Sequence, residues 1–403
     1  MKILNISAQK PNSTGSGIYL TALVNSFWKK GIENEVICGI DKEDHIELEH
    51  GIPFHPVCFH TEELPFYVVG MSDLMPYKST RYKDMTKEMQ RQFEEAFIKK
   101  IRKVVKEFQP DFILCHHLYF LTALVREYFP DRKVGAVCHN TDLRQYEKIE
   151  FQNERIMTDI QNLDVIFSLH EKQKEKIETL FCIDKRKIFT IGAGYNSEIF
   201  YKKNYEKKED IVRIIYAGKI SDEKGISCFL EALNHVNSDK KIKFYLAGGY
   251  SDENEYEKIR KLASEIKYEV EFLGKLTQED LAEQFNKADL FVLPSFNEGL
   301  PLVLVEALAC GLKVVATDLP GIKQWMDQNI KEHQIFFVKP PQMNIFYEIE
   351  EAEKRKFIKR LSKETEKAVR ECKKVFRLDT SSVSWDSVAD KIIKMIKDQK
   401  GQP

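Results

Sequence analysis

Short apolar runs alternate with segments in which apolar residues recur every three or four positions, and the alternation fills most of the chain. The runs at residues 2–6, 35–40, 112–115, 133–138 and 165–169 have the length of buried strands. Between the first two, Tyr19, Leu20, Leu23, Val24 and Phe27 share a helical face and Gly31 ends the helix. Strands buried on both faces, joined by crossover helices, make parallel sheets. The pattern breaks at a charged stretch without a core face, 202–210 (KKNYEKKED), and then restarts. Strands follow at 212–216, 242–247, 270–273, 290–293 and 313–316, with helices at 227–236, 253–266, 278–287 and 301–310. The 403 residues therefore divide into two α/β domains, 1–203 and 204–381. An amphipathic last helix, 382–399, is free to pack back on the first.

Composition removes several classes. With 62 Lys and Arg against 63 Asp and Glu, the net charge is −1. No global basic field draws the chain to nucleic acid. The 8 cysteines include no C-x-x-C pair, so a zinc knuckle or redox dithiol has no basis. Cys38, Cys115 and Cys138 sit inside apolar runs as small hydrophobes, which fits a reducing, cytoplasmic setting. No segment has the apolar length of a membrane span, and the N-terminus does not read as a signal peptide.

The richest segment is 293–316, LPSFNEGLPLVLVEALACGLKVVA. A buried strand ends at Pro294 and a helix begins at Pro301, with Leu300 at the expected cap position and no capping side chain. The amides of Leu302 and Val303 are thus free at the positive end of a helix, where a strand's carboxyl end gives way to a ligand site. Glu298 and Glu306 flank it. Carboxylates repel phosphates but accept from hydroxyls, so the pair suits a ligand with hydroxyls on both sides of a phosphate. Glu306 stands in an otherwise apolar run, where a carboxylate needs a partner.

Three further stretches end predicted strands. YAGKISDEKG, 216–225, carries Lys219 and Lys224, which can neutralise a diphosphate. Gly15-Ser16-Gly17 opens the first helix and lets backbone approach a phosphate. As an NAD fingerprint it lacks the third glycine, replaced by Leu20, although Asp41 follows the second strand as an NAD-binding acid does. His139 ends the fourth apolar run, and His116-His117 the third. Residues 59–92, rich in aromatics, Met and Pro, fit no repeating unit and read as a loop on the first domain or as part of a ligand wall.

These residues resemble the GT-B glycosyltransferases of the retaining glycosyltransferase family 4. The marker is the pair of glutamates, Glu298-Gly299-Leu300-Pro301 through Glu306-Ala307, followed by Ala309-Cys310-Gly311. Gly218-Lys219, Lys224-Gly225, Gly274-Lys275-Leu276 and Ser384-Trp385 match as well, as do Gly15-Ser16-Gly17 and His139, although the family's His-Asp pair is here His139-Asn140. The resemblance implies two Rossmann-like parallel-sheet domains facing a cleft, and a hexosyl group moved from a nucleotide sugar, UDP being the implied carrier, with retention. Glu306 would hold the ribose and Glu298 the sugar, with Gly299 and Leu300 beside it. Lys219, Lys224, the Leu302 and Val303 amides and Gly17 would hold the diphosphate. Leu276 would meet the base and His139 the sugar's 6-hydroxyl. His139, Lys224 and Glu298 are the implied catalytic group, with no metal and no cofactor. The acceptor and the oligomeric state are open. Two alternatives on this fold are a nucleotide-sugar epimerase or hydrolase, and a catalytically silent partner subunit.

Overall fold

A computed structural model describes residues 1–72, 75–205, 210–343, 349–372 and 378–400. The centre of the expected linker, 206–209, and two residues of the 59–92 segment, 73–74, lie outside the described residues. The chain forms two units, residues 1–194 with the segment from Trp385 onward, and Tyr195–Ser384.

In the first unit the strands are β1 (Lys2–Ser7), β2 (Glu33–Asp41), β3 (Phe54–Phe59), the short pair β4 (Val69–Gly70) and β5 (Thr80–Arg81), β6 (Phe112–His116), β7 (Val134–Val137), β8 (Val165–Ser168) and β9 (Ile188–Thr190). Seven of them form one parallel sheet in the order β3-β2-β1-β6-β7-β8-β9. The second unit has β10 (Ile211–Ala217), β11 (Lys241–Ala247), β12 (Glu269–Gly274), β13 (Leu290–Leu293), β14 (Lys313–Thr317) and β15 (Ile335–Val338). These are parallel throughout, in the order β12-β11-β10-β13-β14-β15. In both sheets the order reverses direction beside the first strand, which is where open α/β sheets bind ligands.

The second unit starts at Tyr195, ahead of the expected boundary at 204, because the chain there already packs into it. The Asn286 side chain donates to Tyr201 O and accepts from Lys203 N, and the Phe200 ring lies 6.1 Å from that of Phe285. At the other end the helix Trp385–Lys400 belongs to the first unit. Trp385 meets Tyr19 edge-on at 4.8 Å, and Lys391 Nζ donates to Ile191 O.

The 59–92 segment contributes several side chains to the core. Leu64, Val68, Val69, Met71 and Tyr82 are buried with the helix Lys87–Phe108, and Phe66 packs edge-on against Phe59. Among the described residues, no helix is long and apolar enough to cross a membrane. The eight cysteines are unpaired.

Candidate active site

In the second unit the site grows from strand ends. The chain leaves β10, makes a turn at Asp222–Lys224 and enters the helix Ile226–Asn234 through Gly225. Gly225 has φ +71°, and a Cβ there would lie 2.1 Å from Pro294 O at the end of β13. Only glycine allows the two loops to touch at this point. Phe296 N donates to Glu223 O at 3.2 Å and ties them again. The result is a half-buried ion pair between sequence-distant residues, Lys224 Nζ to Glu298 Oε1 at 2.7 Å. An ammonium has three donors, so Lys224 can keep Glu298 and still hold an anion. Lys219 precedes this turn, partly buried, with no ion pair among the described residues, and its carbonyl accepts from Tyr216 OH.

The helix Leu302–Ala309 follows the β13 loop. Its cap is Pro301, not Leu300 as the sequence suggested, because Pro301 keeps an extended ψ of 113°. No side chain caps it. Leu302 and Val303 are half-buried in its first turn, while Leu300 is buried and Gly299 is half-buried. Glu306 is 8 % exposed, and no side chain pairs with it among the described residues. Burial pushes its carboxyl up to about 8. Two hydroxyls of the adjoining loops, Ser221 Oγ and Ser295 Oγ, are buried without a hydrogen-bond partner among the described residues. Leu276 lies half-buried past β12.

The first unit carries Gly17 and His139. A Cβ on Gly17 would lie 2.6 Å from Lys10 O, so this glycine admits the chain's own 10–12 loop. Its N–H donates to Thr14 Oγ1, which caps the helix Gly15–Lys29. The amide is therefore committed, and any part in phosphate binding is spatial. Asp41, the acid of the dinucleotide reading, is held by Lys10 at 2.7 Å.

His139 caps the helix Asn140–Lys148 and is 8 % exposed. Burial, with His117 nearby, lowers it to about 3, so it is neutral. The acid beside it is Asp142 rather than residue 140. The Asp142 carboxylate is wholly buried and accepts from His139 N, Leu118 N and His117 Nδ1 at 2.7–2.8 Å. His117 has the left-handed φ of +82°, and its Nε2 lies 2.9 Å from Ser16 Oγ. Asp142 thus links the segments after β6 and β7, and His117 extends the link to the helix after β1. Sequence reasoning missed Asp142, although an acid three residues after a cap is a capping-box signal.

Solved structures share this arrangement of two sheets. Sucrose-phosphate synthase from Thermosynechococcus elongatus matches over 99 % of both chains with a TM-score of 0.67 at 18 % identity. Anabaena Alr3699/HepE, in complex with UDP, matches over 99 % of this chain and 100 % of its own with a TM-score of 0.67 at 13 % identity. The fold is that of the GT-B glycosyltransferases. The model for glycosyl transferases group 1 matches residues 197–372, and that for glycosyltransferase family 4 matches residues 13–199. The chain belongs to this family of glycosyltransferases. The amylovoran biosynthesis glycosyltransferase AmsK of Erwinia amylovora is 24 % identical over 234 residues, 56 % of this chain and 57 % of AmsK. The putative teichuronic acid biosynthesis glycosyltransferase TuaC of Bacillus subtilis is 23 % identical over 374 residues, 84 % of this chain and 86 % of TuaC.

Proposed function

We propose that the chain is a retaining hexosyltransferase that takes its sugar from a nucleoside diphosphate sugar, with UDP as carrier. The observation that carries this reading is Glu306. A buried carboxylate without a partner, one turn into an uncapped helix, is satisfied by ligand hydroxyls that donate to it, as ribose hydroxyls do. The free amides of that helix and the ammonium groups of Lys219 and Lys224 then suit the diphosphate. Glu298, already turned toward Lys224, accepts from the sugar, and the Leu276 backbone meets the base. His139, neutral and with Nε2 unpartnered, has the hydrogen-bonding capacity to read a sugar hydroxyl. That HepE has been solved with UDP supports the choice of nucleotide by likeness of fold.

In this reading Lys224 stabilises the departing diphosphate, whose oxygen takes the acceptor's proton on the face where the bond broke. The lysines and the helix end supply the positive charge, so no metal is needed. A reducing, cytoplasmic setting accords with eight unpaired cysteines.

The test is a thermal-shift screen against nucleotide sugars. A ligand at 100 times its Kd stabilises by about 2.7 kcal/mol. With a donor in hand, Lys224→Ala is expected to lower kcat by about 10²–10³-fold, as loss of one preorganised donor does, with a smaller rise in KM. The anomeric configuration of the product, read by NMR, decides retention. Unchanged turnover in a folded Lys224→Ala protein, or an inverted product, overturns the corresponding part.

A further inference from the structure

We infer that the acceptor group held by the first unit is uncharged and hydroxyl-bearing, a saccharide end, and that His116, next to His139, reads it. The inference rests on the glycosyl-transfer reading above. In that reading the donor takes up the second unit's residues and His139, which leaves His116 for the acceptor.

His116 is the last residue of β6, opposite Ser7 of β1 and Val137 of β7, at the carboxyl edge near the middle of the sheet. His139 follows β7 along the same edge. Their rings lie 6.5 Å apart, inclined by 22°, and the Tyr19 ring meets both edge-on. Both nitrogens of His116, Nε2 of His139, the hydroxyl of Tyr119 and Nε2 of Gln145 have no hydrogen-bond partner among the described residues. All four side chains are more than nine-tenths buried. Buried polar atoms in folded proteins are rarely left unpaired, and those of two neighbouring histidines on one sheet edge mark a place where something else completes them.

What completes them must match their chemistry. A neutral imidazole offers one donor and one acceptor, and so does a hydroxyl. Burial holds both histidines in the neutral form. The charges at this edge argue against an anion. Asp142 is a buried carboxylate in the same cluster. Lys10, just past β1, is taken by Asp41 at 2.7 Å and Asp44 at 2.5 Å, and Arg144 on the helix after β7 is also engaged. A phosphate or carboxylate acceptor would meet the buried Asp142 carboxylate and a lysine already held by two acids, whereas a sugar's hydroxyls would meet unpaired donors and acceptors.

The experiment uses the full chain and the sugar nucleotide found by thermal shift. Methyl and octyl glycosides of glucose, galactose and N-acetylglucosamine are compared with the matching 6-phosphates and with L-malate, and transferred product is measured by mass spectrometry. Neutral glycosides are expected to exceed the charged acceptors at least tenfold in kcat/KM. A preference for the octyl over the methyl compounds assigns the saccharide to an amphiphilic carrier, and the reverse to a free sugar; either ranking supports the proposal. His116→Leu should lower kcat/KM for the neutral acceptor at least tenfold, mainly through KM, and leave the calorimetric Kd for UDP unchanged. His116→Gln, which keeps a donor and an acceptor, should recover part of the loss and carries the test if the leucine variant does not fold. Preference for the phosphates or malate, or unaltered transfer in both folded variants, overturns the proposal while leaving the transferase reading intact. Absence of UDP binding and of product with every acceptor overturns that reading as well.

Discussion

Glu306 is the residue whose behaviour departs furthest from its ordinary chemistry, and its linkage to pH has a definite sign. Its carboxyl ordinarily titrates near 4.5 and in the fold is pushed to about 8. Between those values the folded chain keeps a proton that the unfolded chain has released. The stability this gives is fully present below 4.5 and is lost as pH rises through 8, by at most about 1.4 kcal/mol per unit. Denaturation curves from pH 5 to 8.5 should show that fall, and Glu306→Gln should flatten it. Nucleotide binding should have the opposite slope, because the ionised carboxylate accepts from ribose hydroxyls more strongly than the acid does. UDP affinity is therefore expected to rise as pH climbs toward 8 in the native chain and to stay level in Glu306→Gln. Calorimetry at three pH values checks both. Residue-scale chemistry of this kind was legible in the sequence, since a lone acid in the apolar run LVLVEALA is costly to bury unless a polar group meets it. The Asp142–His117–Ser16 linkage was not, because it joins segments following three strands that only the sheet order brings together.

At the scale of elements, the turn at Asp222–Lys224 gains its geometry from the neighbouring loop. Gly225 adopts a left-handed φ and presses on Pro294 O, so Gly225→Ala combines backbone strain with a steric clash against main chain. Strained positions of this kind are worth on the order of 1–3 kcal/mol. A lowered melting temperature is expected, together with a loss of nucleotide affinity, since displacing the turn separates Lys224 from Glu298. Retained affinity in a destabilised protein would show that the turn does not place the lysine. The sequence predicted this loop as a site from its two lysines, yet could not show that glycine is needed to seat it. Strand prediction followed the same division. Runs such as 290–293, apolar and bounded by turn residues, were plain. The strand Phe54–Phe59 was not, because Pro56 and two half-buried neighbours blur the pattern at the edge of the sheet. Ile188–Thr190, at the opposite edge, is too short to stand out.

For the whole molecule, the order of residues along the chain differs from the order of folding units. The charged stretch looked like the boundary because it lacks a core face, but residues 195–203 already belong to the second unit and the last helix returns to the first. A periodic pattern shows that the helix Trp385–Lys400 has an apolar stripe; it does not show which core receives it. The stripe is Val388, Ala389, Ile392 and Ile396, each almost wholly buried. Ile392→Ala should therefore destabilise by about 2–5 kcal/mol, the usual range for a large-to-small change in a core. A chain of two units need not melt in one step. The loss is expected in the transition of the first unit, whereas UDP, if held as proposed by residues after 210, should raise that of the second. Scanning calorimetry of the native chain and of Ile392→Ala, each with and without UDP, separates the two effects. If Ile392→Ala and UDP move one shared transition in opposite directions, the units unfold together and the division by contacts is not a division in stability. If the substitution lowers the transition that UDP raises, the helix stabilises the nucleotide-binding unit instead.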